Sequence, residues 1–203
     1  DATPGTLEAR LVARGYELLG AYAAEVGIPV ERTGAILVAW SADELAALPG
    51  LLSKAQANGY ADARLVEADE VYAAVPALGA GALGGLAVPG ESIICPWTTT
   101  LAFATEALSR GARLVRDTRV VDVRPGPVDT EVVTTAGRIR TTWVVNAAGL
   151  GGDELDRMLG HDRFTVVPRR GELLVFDKLA RPLVDVIVLP VPTAKGKGVL
   201  VSP

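Results

Sequence analysis

The stretch Trp143-Val144-Val145-Asn146-Ala147-Ala148-Gly149 decides how the rest of the chain is read. Its first three residues form a compact apolar run of the kind that makes a buried strand. The run empties into residues with almost no side chain. A helix is then expected near 152–159, stopped by Gly160. Strand, tiny residues, helix is the local order of an α/β sheet whose loops at the strands' carboxyl ends receive ligands. Small side chains let the backbone come close to a bulky ligand. The same residues equally suit a tight strand-to-helix turn with no ligand, and local chemistry does not separate the two.

Upstream, Leu7, Leu11, Leu18, Tyr22 and Val26 mark one face of a helix over 6–26, and Gly27 stops it. Residues 35–40 are wholly apolar and read as a buried strand. Ser41 and Glu44 form a capping box for a helix that Pro49-Gly50 is expected to break, leaving a second piece near 51–58. A short helix at 69–75 ends before Pro76, and a glycine-rich loop over 77–90 holds one strand at 86–88. Pro96 opens a helix with Trp97, Leu101, Ala104 and Leu108 on one face, ended by Gly111. Beyond it strands dominate: 118–123, 131–135, 138–142 and 143–145, then 164–167, 172–176, 184–189 and 198–201.

The chain has 203 residues, of which 49% are apolar and 22% charged, so it can build a core and is not disordered. A net charge of −4 does not supply the basic face that nucleic-acid binding needs. The single cysteine, Cys95, excludes an internal disulfide and fits a reducing compartment. No apolar run reaches the roughly 18 residues of a membrane span. Asp1-Ala2-Thr3-Pro4 lacks the order of a signal peptide. The expected location is cytoplasmic, with peripheral membrane attachment left open. With no initiator Met and an end at Ser202-Pro203 straight after an apolar run, the chain is expected to be an internal piece of a longer polypeptide.

Gly79-Ala80-Gly81-Ala82-Leu83-Gly84 spells GxGxxG, yet a Pro-ended helix precedes it and a short strand follows. A dinucleotide site needs strand before and helix after, so the stretch reads as a flexible loop. Arg169-Arg170-Gly171-Glu172 offers guanidinium forks for a carboxylate or phosphate, or simply solvated charges. Lys195-Gly196-Lys197-Gly198 is a cationic turn or an exposed hairpin tip. Cys95 as a nucleophile would need a base, and His161, the only histidine, follows a helix-ending glycine and reads as a surface residue. No metal-ligand spacing and no GxSxG occur.

Four stretches together resemble the flavoprotein superfamily of D-amino-acid oxidase and glycerol-3-phosphate dehydrogenase, nearest its glycerol-3-phosphate dehydrogenase and L-2-hydroxyglutarate oxidase branch. They are residues 18–40, 94–123, 143–149, and 168–177 running on to 190–192 and 196–203. The resemblance implies an α+β (α/β) architecture: a mixed-sheet substrate-binding domain with helices on one side, plus a partial FAD-binding Rossmann-like portion. It implies residues 1–29 as a linking helix, 30–92 and 163–203 as the substrate-binding domain, and 93–162 as a segment of the FAD domain. Val120 or Val121 would lie by the adenine, and Ala147, Ala148 and Gly149 by the pyrophosphate and ribose. The family's own strand–GxGxxG–helix and its closing C-terminal segment are not in this sequence, so the chain alone is not expected to hold flavin or to be active. Where the family often has an acidic residue before the helix that Pro96 opens, this chain has Cys95, a weaker cap.

The resemblance implies a parent enzyme that moves hydride from a small anionic hydroxy substrate to FAD, with Arg170 and Lys197 holding the anion and no catalytic base assigned. An amine substrate is the less favoured variant. A non-catalytic ligand-binding module keeping the substrate-domain fold is the alternative, and an NAD-linked enzyme using the 79–84 glycines a weaker third. Oligomeric state is not legible in the sequence.

Overall fold

The computed structural model describes residues 2–192 and 198–203. In chain order the elements are α1 (Leu7–Val26), β1 (Val30–Glu31), β2 (Ala35–Ala39), α2 (Ala42–Ala57), β3 (Arg64–Glu67), α3 (Ala68–Ala74), β4 (Gly84–Val88), β5 (Ile93–Ile94), α4 (Pro96–Ser109), β6 (Val120–Pro125), β7 (Thr130–Thr134), β8 (Gly137–Thr141), α5 (Gly152–Met158) and β9 (Ile187–Pro190). They fall into two compact units, one of residues 1–107 with 175–203 and one of residues 108–174.

The first unit is built on a mixed sheet of order β3-β4-β2-β9. β2, the uniformly apolar strand, takes an interior place, antiparallel to β4 and parallel to β9. β4 approaches so closely that a Cβ on Gly85 would stand 2.7 Å from the Leu37 carbonyl oxygen. Alternation along β2 separates two cores. Ala39 and Leu37 face Leu48, Leu51 and Leu52 of α2, whereas Ile36 and Val38 face Val71 of α3 together with Val66, Ala82 and Ala87. The helices thus divide between the two faces, where one-sided cover was expected: the turn from β3 into α3 is immediate, and it carries Val71 onto the face that α2 leaves open.

α2 runs unbroken through Pro49, contrary to the expected break. Leu48 is 2% exposed and anchors the helix on the sheet just before the proline, and the capping box fixes its start. Glu44 N–H donates to Ser41 Oγ at 3.3 Å, and the Glu44 carboxylate accepts from Trp40 N–H at 2.7 Å. α1 begins at the Thr6 cap and ends at Gly27, in the left-handed region at φ 74°. The apolar face assigned to it is largely open, with Leu7, Leu11 and Leu18 all more than half exposed and Ala23 alone buried. It is held by Tyr16 Oη donating to the Gly90 carbonyl at 2.8 Å and by Tyr22 stacking on Phe103 of α4 at 4.9 Å. β1 and β5 form a two-residue antiparallel ladder. Near 198–201 the expected strand reduces to one bridge, Val188 to Val201.

The second unit is an antiparallel meander, β6-β7-β8, with α5 packed beside β6. The Ala136-Gly137 turn forms as expected, Gly137 taking φ 136°. Three expected strands do not form. Residues 143–145, 164–167 and 172–176 take no regular structure. Trp143 is 84% and Leu173 92% exposed, so the run read as a buried strand is open. A strand needs a ladder partner on its flank, and no strand among the described residues lies alongside any of the three.

Candidate functional site

Asn146 closes a short loop with its own side chain. The amide Nδ2 donates to the Gly152 carbonyl at 2.7 Å, and Oδ1 accepts from Ala148 N–H at 3.3 Å. A 3-10 turn over Gly149–Gly151 then leads into α5, with Gly151 N–H donating to the Ala148 carbonyl. Gly149 sits at φ 56°, and a Cβ placed there would meet nothing within 4 Å. Ala147, Ala148 and Gly149 are exposed, and no partner among the described residues takes the N–H groups of Ala147, Gly149 and Leu150. The loop therefore presents tiny side chains and open backbone donors, a donor set that suits the oxygens of an anionic group.

Two carboxylates brace α5 behind this loop. Asp153 accepts from its neighbour's N–H at Glu154, from Arg157 at 3.2 Å and from Val166 N–H at 3.2 Å. Asp156, 2% exposed, accepts from the Arg163 guanidinium at 2.5 Å and from Arg163 N–H at 3.2 Å. Both carboxyls are held below the usual carboxylate range, Asp153 first by the Val166 N–H and Asp156 first by the Arg163 side chain. Together they pin residues 163–166 to the helix.

The second group of candidates lies on the neighbouring strand. The register of β6 on β7 shifts between Val120 and Asp122, so Val121 is the bulged residue and is 46% exposed. A bulge re-aims a side chain out of the ladder. Arg119, just before it, reaches Glu154 of α5 at 2.9 Å. The Arg119–Glu154 pair and the packing of β6 on α5 set the approach to β6 beside α5.

Comparison with known proteins decides the family. The model of the FAD dependent oxidoreductase family (DAO) matches residues 1–203. The chain belongs to that family. Glycerol 3-phosphate dehydrogenase of Caloramator mitchellensis is 30% identical over the whole chain, which covers 42% of that protein. L-2-hydroxyglutarate dehydrogenase of Escherichia coli K12 is 28% identical over 94% of the chain, which covers 45% of it. Among solved structures, the dithionite-reduced L-alpha-glycerophosphate oxidase of Mycoplasma pneumoniae with FAD bound superposes with TM-score 0.82 at 23% identity, over 100% of this chain and 55% of that one. L-proline dehydrogenase from P. horikoshii does so with TM-score 0.74 at 21% identity, over 96% and 56%. The structural likeness shows the shared fold. The chain spans about half the length of these relatives.

The other candidates of this FAD-dependent oxidoreductase chain are scattered. Arg170 is exposed, with only a loose approach of 3.8 Å to Glu172. Lys195 and Lys197 lie outside the described residues. The first unit holds a cavity of about 660 Å³, walled by Val12 and Tyr16 of α1, Leu37 and Leu86 of the sheet and Leu51 of α2; Arg170 does not line it. Gly79–Gly84 leads straight into β4 with no helix after it, which leaves the NAD-linked reading without its geometry. His161 is exposed and its N–H donates to the Asp156 carbonyl. Cys95 caps α4 partly exposed, and among the described residues no group of three or more His, Cys, Asp or Glu could hold a metal. No helix among them is long and apolar enough to cross a membrane. Reading the sequence picked out Asn146 as part of the motif but not its bridging side chain, and missed Asp153, Asp156 and Arg163. The available signals were an Asx residue opening the small run and two aspartates three apart on one helix face.

Proposed function

We propose that the chain is part of an FAD-dependent dehydrogenase or oxidase acting on a small anionic hydroxy compound, of the glycerol 3-phosphate or 2-hydroxy acid type. The observation that carries this is the 146–151 loop, whose small exposed residues, left-handed Gly149 and open N–H groups fit a pyrophosphate and ribose. Ala147, Ala148 and Gly149 would hold that part of FAD, and Val120 or Val121 would lie by the adenine. When bound, FAD supplies the redox chemistry as acceptor of the hydride. This chain's residues bind, orient and keep the loop in shape. Residues 30–92 and 163–203 would serve the substrate, 93–162 the cofactor and 1–29 the link between them. Arg170 and Lys197 are assigned to the substrate's anionic group, as planar and point-charge donors respectively.

The test is the visible spectrum of the full-length parent protein, followed by anaerobic addition of glycerol 3-phosphate or L-2-hydroxyglutarate. Bleaching of a bound flavin by one of them is expected. A protein that stays colourless when offered FAD returns the chain to the reading as a non-catalytic binding module. Arg170→Ala and Lys197→Ala are expected to raise KM steeply with little change in kcat, and an unchanged KM removes them from the site.

A further inference from the structure

We propose that Asn146 is a positioning residue that sets the affinity for the cofactor by holding the 146–152 loop open. The inference rests on the FAD reading above. Its ground is that one amide uses both ends at once, Nδ2 on the Gly152 carbonyl at 2.7 Å and Oδ1 on Ala148 N–H at 3.3 Å. These two bonds tie the start of the loop to its middle and to its exit into α5. They consume the Ala148 N–H, and those of Ala147, Gly149 and Leu150 have no partner among the described residues. No other side chain bonds to the loop's backbone among the described residues. Gly152 is buried, and a Cβ on it would lie at an ordinary 3.8 Å from Asn146 Oδ1 and from the Phe164 ring, so the exposed amide bonds to the carbonyl of a buried residue.

Residue type matters at both ends of the amide. Aspartate keeps the acceptor but loses the donor, and turns a carboxylate oxygen toward the Gly152 carbonyl. Alanine loses both bonds. In either variant the loop's donors cease to be held in one arrangement, and the ordering cost falls on ligand binding instead.

The experiment uses the full-length protein, stripped of flavin and titrated with FAD, with fluorescence quenching as the readout and thermal melting of the apo form alongside. Asn146→Ala and Asn146→Asp are expected to weaken FAD binding by roughly tenfold or more, with the apo melting temperature close to that of the parent. Parent-like FAD affinity in Asn146→Asp overturns the proposal, and that variant decides the matter if Asn146→Ala does not fold. Weakened binding matched by an equal loss of apo stability also overturns it, because Asn146 would then be merely structural. Failure of the unmutated protein to take up FAD sinks the underlying reading itself, and is told apart by the parent titration alone.

Discussion

Asp156 receives Arg163 twice, through the guanidinium at 2.5 Å and through the backbone N–H at 3.2 Å, although the two side chains differ sharply in exposure at 2% and 67%. A buried carboxylate thus clamps a chain segment by reaching an otherwise solvated arginine. The Arg163 side chain is the largest cause that holds the Asp156 carboxyl below its usual range; desolvation acts the other way. An unfolded aspartate titrates near pH ~4, so on acidification the unfolded chain takes up the proton first. The clamp's stability is therefore full above about pH 4 and is lost as pH falls through the folded value. Asp156→Asn should melt several degrees lower at neutral pH and show a shallower acid decline. Equal acid slopes in thermal scans would contradict this.

Leu48 and Pro49 are neighbours with opposite expected effects. Leu48 is nearly fully buried against the sheet, and Leu48→Ala should cost about 2–5 kcal/mol through the cavity it leaves. Pro49 lies inside α2 and cannot donate to the carbonyl four residues back. Pro49→Ala should stabilise by up to about 3 kcal/mol. Urea unfolding of both variants checks the pair, and destabilisation by Pro49→Ala would show that packing of the proline ring outweighs the missing hydrogen bond.

Two glycines separate clash from strain. Gly85→Ala puts a methyl 2.7 Å from the Leu37 carbonyl oxygen and 3.1 Å from Ile36, and overpacking of this kind costs about 1–3 kcal/mol. Gly149→Ala meets no atom but keeps φ 56°, a strain of about 1–2 kcal/mol. Raised FAD dissociation should accompany Gly149→Ala but not Gly85→Ala in the full-length protein. Calorimetry and FAD titration read the two effects separately.

Cys95 should alkylate at lower pH than an unperturbed thiol. The Thr98 hydroxyl, followed by the Thr98 and Trp97 N–H groups, lowers its thiol pKa; the same hydroxyl reaches the Cys95 carbonyl at 3.2 Å. The midpoint of the iodoacetamide rate against pH is expected below the ordinary thiol value of about 8.5, and Thr98→Val should move it upward. A midpoint unchanged in that variant would rule the hydroxyl out as the cause.

Legibility followed where the information is local. β2 was readable because all five of its residues are apolar and take an interior place. α1 was readable from its apolar spacing and from Gly27, its C-terminal cap, whereas the Thr6 cap at its start emerged only in the structure. β3 was not, because Arg64-Leu65-Val66-Glu67 buries Val66 alone and owes its strand to pairing with β4. Residues 172–176 show the converse, an apolar run with nothing beside it to make it a strand. Ala147 to Gly149 could be picked out by size. The Asn146 amide bridge and the Asp156 clamp depend on approaches across a turn, which spacing alone does not encode.

The parallel pairing of Ala35 with Ile187 has a consequence for synthesis. The whole of the 108–174 unit is translated between those two residues. It can close on itself while one flank of β2 still stands bare, a sticky edge until β9 leaves the ribosome. Nascent chains halted before residue 187 should be the ones that chaperones retain and that precipitate when released.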